Sequence, residues 1–255
     1  MSYFHEQPSD LSNSDWVKYI LINTLKVYLD NFFTFILISL IPVGIFTILR
    51  YLFIPQINEL NQNELNGIQL FLFGLIFIFG FFISVLATAA LSVKVHSIKI
   101  GNKLSVINCY LSVWNKIVSL SIANLVYFVL FFAAALLSLT IFGLPLLFLL
   151  MINFCFFNQM ILFESMGPIE SFSGSYELVK KFRIRIFFVI LLVLILLLFT
   201  YFLIWILGPE FSLINNLMLN IVEVIIFPIT GIIPITGITT MLIYLDIKQR
   251  KQTNT

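Results

Sequence analysis

Glu223 is the one carboxylate inside a stretch apolar enough to cross a bilayer, and Asn220 precedes it by about one helical turn. Holding an acid in hydrocarbon costs a few kcal/mol or more, so such residues commonly bind cations, relay protons or line a solute path. About six residues separate Glu223 from the outer end of its stretch, roughly 9 Å at 1.5 Å per residue. From that depth a glutamate can reach the external interface, and this plainer reading carries more weight. A second polar set begins with Asn153 near the middle of another apolar stretch, continues with Asn158 and Gln159 and ends at Glu164. These side chains either line a cavity between helices or bond a neighbouring helix for around 1 kcal/mol each, the commoner outcome. Asn153, Asn220 and Glu223 are therefore the candidate intramembrane polar site. Lys180, Lys181, Arg183 and Arg185 form a compact basic cluster, the candidate contact for anionic lipid headgroups at about 1 kcal/mol per charge.

Catalytic arrangements are absent from the sequence. His5 and His96 have no partners spaced for a triad or a metal site, and there is neither a Gly-rich phosphate loop nor a close pair of acids. Cys109 and Cys155 fall in different environments, one in a loop and one in an apolar run, so neither a disulfide nor a zinc site is expected. No catalytic residue, metal or cofactor follows from these features. A formal charge of +2, with basic residues beside helix ends rather than along one stripe, gives no footprint for nucleic acid.

The elements that must position these residues are membrane helices. The chain is 60% hydrophobic and 10% charged, with a mean hydropathy of +1.07. A soluble domain carries about a quarter charged residues, so lipid is the expected main solvent. Six windows reach the roughly 20 apolar residues that a crossing needs: 32–53, 69–93, 117–140, 143–163, 184–207 and 217–245. Thirteen of the fourteen basic residues fall in four segments between pairs of these windows. They are the N-terminal segment (Lys18, Lys26), a first loop (Lys94, Lys99, Lys103, Lys116), a second loop (Lys180 to Arg185) and the C-terminus (Lys248, Arg250, Lys251). Basic residues are retained on the cytoplasmic side, which places both termini there in a multi-pass protein of the cell (inner) membrane. The expected fold is all-α: six transmembrane helices in three hairpins, as a single domain over 1–255, with mobile tails at 1–14 and 248–255. The polar start lacks the pattern of a cleavable signal.

Each odd-numbered span is preceded by a segment that reads as an amphipathic interfacial helix. The stripes are Val17, Ile20, Leu21, Leu25, Tyr28, Leu29 and Phe32 in the first and Ile107, Tyr110, Leu111 and Trp114 in the second. Ile169, Phe172, Tyr176, Val179 and Phe182 form the third. An interfacial helix followed by a hairpin, three times over, is the implied internal repeat. In the second span Gly80, Ser84, Thr88 and Ser92 recur every four residues, a seam for close helix approach. Gly143 and Pro145 mark a tight turn between the third and fourth spans. In the last span Pro228-Ile-Thr-Gly recurs as Pro234-Ile-Thr-Gly, which predicts a kink whose freed carbonyls are bonded by Thr hydroxyls.

Two segments carry a resemblance. From Glu164, the spacing Gly167, Ile169, Ser175, Leu178, Lys180, Lys181, together with the ending Tyr244-Leu-Asp246-Ile-Lys248-Gln-Arg250, resembles a broad family of bacterial and archaeal six-helix membrane proteins. That family includes the YciC-type proteins and the membrane domain fused to some glycerophosphoryl diester phosphodiesterases. Lys248 stands where many members have Arg, and Gly143-Leu-Pro145 departs from their usual Pro-before-Gly order. The resemblance implies an architecture rather than an activity, since catalysis in the fused enzymes belongs to a separate soluble domain.

The function expected is therefore a non-catalytic integral membrane protein that organises the membrane through contacts with the lipid bilayer, anionic lipid headgroups or a membrane-protein partner, including a second copy. The alternative is a small-solute transporter or channel built on a kinked sixth helix with Glu223 and Asn153. An intramembrane enzyme ranks last.

Overall fold

The computed structural model describes residues 12–42, 44–45, 67–138, 143–212 and 232–253. Every regular element among them is a helix, and helices occupy the described parts of the six apolar windows apart from 138 and 154–156. Asn220 and Glu223, and with them Pro228 and the first half of the last window, lie outside the described residues.

Helix α1 (Asn13–Asp30) starts where the Ser12 hydroxyl accepts the Asp15 amide at 3.2 Å. It ends at Asn31, whose side-chain amide donates back to the Val27 carbonyl at 3.1 Å. Helix α2 (Phe32–Pro42) then leaves at 83° to α1. Helix α3 (Gly67–Ile100) stops at Gly101, whose φ of +81° suits a residue without a Cβ; the amides of Gly101 and Asn102 satisfy the Ile98 and Ser97 carbonyls. Helix α4 (Val106–Trp114), capped by Ser105, turns through Asn115 and Lys116 into α5 (Ile117–Leu137). Helices α6 (Gly143–Asn153) and α7 (Phe157–Glu164) follow, then α8 (Glu170–Val179), α9 (Arg183–Ser212) and α10 (Ile232–Thr253).

Among the described residues three helical stretches are long and apolar enough to cross a membrane, Ile78–Ile100, Ile117–Leu137 and Gly143–Glu164; counting the bent α1–α2 pair as one makes four. Lys94 and Lys99, expected in a loop, ride on the end of α3. Residues 248–253, expected in a tail, continue α10.

Helix α10 is the hub, touching α1, α3 and α9. Ile238, Met241, Leu242, Ile243, Tyr244 and Ile247 are all buried, so this helix is covered nearly all round. Together with Trp16, Phe35, Leu91, Phe156 and Ile186 they form the larger core. A smaller core joins α3, α4, α5 and α7 through Val85, Ala89, Val113, Leu120, Ala123, Phe157 and Ile161. Pro234 lies in the first turn of α10, where a missing amide proton costs little, and the helix runs on from it. The hydroxyls of Thr239 and Thr240 bond back to the Ile235 and Thr236 carbonyls at 2.7 and 2.9 Å.

Several face assignments differ from the sequence reading. The α1 stripe divides: Ile20 and Tyr28, with Trp16 and Val27 beside them, enter the protein core, whereas Leu25 and Leu29 stay exposed. The seam on α3 divides as well. Ser84 and Thr88 are exposed and only Ser92 is buried, each bond running within the helix from Thr88 to the Ser84 carbonyl and from Ser92 to the Thr88 carbonyl. The close approach on α3 is made instead at Leu91, which packs against Gly237 of α10. Gly143 earns its place differently: a Cβ there would run into the backbone of Leu137 and Ser138, so only glycine lets α6 begin against the end of α5.

Candidate functional site

The polar side chains collect in two groups on either side of α10, one shared with α7 and the other with α1 and α9. At the end of α7, Glu164 accepts a hydrogen bond from the Tyr244 hydroxyl at 2.7 Å and pairs with the Lys248 ammonium. Two residues after Tyr244, on the opposite side of the same helix, Asp246 accepts from the Trp16 indole N–H at 2.7 Å and from Arg250 Nε at 2.9 Å. Arg185 of α9 sits over the Trp16 ring, 5.9 Å from its centroid, and its Nε donates to Asn13 Oδ1 at 2.7 Å. The Phe163 ring lies between His96 and Tyr244, 4.5 and 6.1 Å from theirs. The two segments that stood apart in the sequence, around residue 164 and around residue 246, thus meet.

Two lysines of the second basic segment, Lys94 and Lys116, serve backbone carbonyls. Lys116 Nζ donates to the Ile161 and Leu162 carbonyls at 3.0 and 2.8 Å and to Ser165 Oγ at 3.1 Å, closing the C-terminus of α7 where Ser165 takes a left-handed φ of +56°. Lys94 is buried, and its Nζ donates to the Leu104 carbonyl at 2.7 Å, fixing the α3–α4 connection. On α4 the Tyr110 hydroxyl donates to the Ile38 carbonyl of α2 at 2.6 Å. Burial pushes the phenol of Tyr110 and the thiol of neighbouring Cys109 up from their ordinary values, with the Lys94 charge partly offsetting the shift at Cys109.

The fourth apolar window is broken at 154–156, which separates Asn153 from Asn158 and Gln159. Ser175 of α8, fully buried, repairs the break: its hydroxyl donates to the Asn153 carbonyl at 2.8 Å and accepts the Phe156 amide at 3.2 Å. Asn158 takes the packing role, its Oδ1 accepting from Asn124 Nδ2 of α5 at 2.8 Å. The side-chain oxygens of Asn153 and Gln159 are buried without a hydrogen-bond partner among the described residues.

Lys180 and Lys181 are exposed in the turn between α8 and α9. Arg183 lays its guanidinium over the Tyr176 ring, 4.8 Å from the centroid, with Nε buried and unpartnered among the described residues. With Asn13, Phe182, Ile184 and Arg185 these residues line an open depression of about 470 Å³. Among the described residues no three His, Cys, Asp or Glu side chains converge on a point that would hold a metal.

Sequence reasoning brought the four basic residues together but missed Asn13, Trp16, Lys116 and Asn124. Asn124 carried a signal, being an amide in an apolar window like Asn158. The other three had none, since their partners are decided by packing. No family model, curated protein or solved structure matches the chain.

Proposed function

We propose that this chain is a non-catalytic integral membrane protein with six crossings and cytoplasmic termini, in the fold of the YciC-type proteins, that organises surrounding lipid through α1, α4 and α8 and their basic ends. The observation that carries this is α4. Ile107, Leu111 and Trp114 are 62–69% exposed on one side of it, while Cys109 and Val113 are buried on the other. A short helix with one apolar side on the protein and another apolar side outward fits a headgroup–acyl boundary, and Trp favours that depth. Leu25 and Leu29 on α1 and Ile169 and Tyr176 on α8 extend the same outward apolar character, and each of these three helices leads through a short turn or bend into an apolar helix.

The test is quenching of Trp114 by brominated phospholipids in vesicles, taken as the difference between the native chain and Trp114→Phe. The expected result is strongest quenching by bromines close to the headgroup, and stronger quenching by anionic than by zwitterionic brominated lipid at equal mole fraction. A Trp114 contribution untouched by any brominated lipid overturns the reading.

A second reading, a path for small solutes, is favoured by the helix break at 154–156 with the unpartnered oxygens of Asn153 and Gln159 beside it. Solute flux into proteoliposomes that falls in both Asn153→Ala and Glu223→Gln would establish it in place of the first. Equal flux in all three, at the level of empty vesicles, leaves the organising role standing.

A further inference from the structure

We propose that the depression between the start of α1 and the α8–α9 turn seats the phosphate of one phospholipid, whose acyl chain lies along the outer face of α9. The inference rests on the membrane reading above and names the ligand that its basic cluster takes.

The lining supplies four cations and an amide, Lys180, Lys181, Arg183, Arg185 and Asn13, and no carboxylate. Two nearby acids are already engaged: the Asp15 carboxylate accepts from the Ser12 hydroxyl at 2.6 Å, and Asp246 is held by Trp16 and Arg250. Glu177, one turn back on α8, is exposed, lies outside the lining and makes no ion pair among the described residues. Lys180 and Lys181 likewise make neither an ion pair nor a hydrogen bond there. Four positive charges within six residues repel one another, and an anion that bridges them relieves that repulsion.

The walls are set before any ligand arrives. Arg185 is fixed by Asn13 and by the Trp16 ring, and Arg183 by the Tyr176 ring. Guanidinium groups held this way match phosphate oxygens, which accept from several donors at once. The space exceeds what a bare ion fills, so a larger phosphorylated group fits it.

The second feature lies on α9 itself. Ile184, Phe188, Leu192, Ile195 and Leu198 are all exposed, 41–66%, at spacings of three and four. They form one continuous apolar face that begins in the lining of the depression, at Ile184, and leads away from it along the helix. A basic seat joined to an apolar track is the complement of a lipid, with its charged head and apolar tail. A soluble phosphate compound would use the seat and leave the track bare.

The experiment uses the full chain purified in neutral detergent and stripped of lipid. It is titrated with dioctanoyl phosphatidic acid, dioctanoyl glycerol or inorganic phosphate, with bound stoichiometry read by native mass spectrometry. The expected result is one phosphatidic acid per chain, no diacylglycerol, and an affinity about tenfold weaker in Lys181→Gln/Arg183→Gln. Phe188→Asn should weaken the lipid and leave inorganic phosphate unchanged. Melting temperatures without ligand check that both variants fold, and if the Gln pair does not, Lys180→Gln/Lys181→Gln, confined to exposed side chains, replaces it. Inorganic phosphate binding as tightly as the lipid supports the seat with a soluble source and overturns the acyl track. Absence of saturable binding by either, or binding unchanged in the basic variants, overturns the proposal. Trp114 quenching depends on α4 and not on these residues, so loss of the lipid seat and loss of the membrane-organising role are separately visible.

Discussion

Glu164 at the end of α7 and Tyr244 in the middle of α10, eighty residues apart in the chain, share a hydrogen bond of 2.7 Å. Lys248, one turn further along α10, pairs with the same carboxylate oxygen. The contact joins two segments that a sequence presents as unrelated, and it holds the hub helix against α7. Tyr244→Phe removes a bond to a charged acceptor and is expected to lower stability by about 1.5–3 kcal/mol. Lys248→Met acts on a pair whose side chains are 38% and 30% exposed, so about 0.5 kcal/mol is expected there. Double-mutant cycles with Glu164→Gln, read by thermal unfolding in detergent, check the order. A larger coupling for Lys248 than for Tyr244 would reverse it.

Ser175→Ala leaves the Asn153 carbonyl and the Phe156 amide without their partner in a buried place. A loss of about 1–3 kcal/mol is expected, with Ser175→Gly no better, because the hydroxyl rather than the side-chain volume matters. Amide hydrogen exchange supplies the local readout: Phe156 should exchange faster in the variant while amides of α5 keep their protection. Unchanged exchange at Phe156 contradicts the role assigned to the hydroxyl.

Lys116→Met should loosen the end of α7. Its ammonium serves two carbonyls and the Ser165 hydroxyl, and the methionine keeps the apolar stem while removing the donors. About 1–2 kcal/mol of stability is expected to go. Trypsin sensitivity gives a second measure, since Lys180 and Lys181 in the turn after α8 should be cut sooner once α7 and α8 part. A variant as stable and as resistant as the native chain would show that the three contacts contribute nothing.

Cys109 is buried beside Val113 with its thiol pushed up by desolvation. Less thiolate is present at any given pH below that value, and the thiolate is the nucleophile. Alkylation at pH 8 should therefore be at least about tenfold slower than in the unfolded chain, and should keep rising with pH beyond the range where an ordinary thiol levels off. Peptide mapping after timed iodoacetamide treatment distinguishes Cys109 from Cys155. Rapid modification of Cys109 in the folded chain would place it on an open surface.

Apolar periodicity by itself determined where the helices lie, since a run of such residues can satisfy its backbone only within itself once water is excluded. Gly143 at the start of α6 marked an end legibly, because a tight turn is local chemistry. The basic cluster at Lys180 to Arg185 was equally plain. Only the tertiary structure decided which apolar face turns inward. Ile20 and Tyr28 of α1 pack on protein while Leu25 and Leu29 do not, yet all four lie on one stripe of the sequence. Hydropathy cannot separate these cases, because lipid tails and a protein core are nearly equivalent solvents for a leucine. The same limit hid the partners of Trp16, Lys116 and Glu164. Each needs a neighbour brought by packing from 45 or more residues away, and no spacing along one helix encodes that meeting.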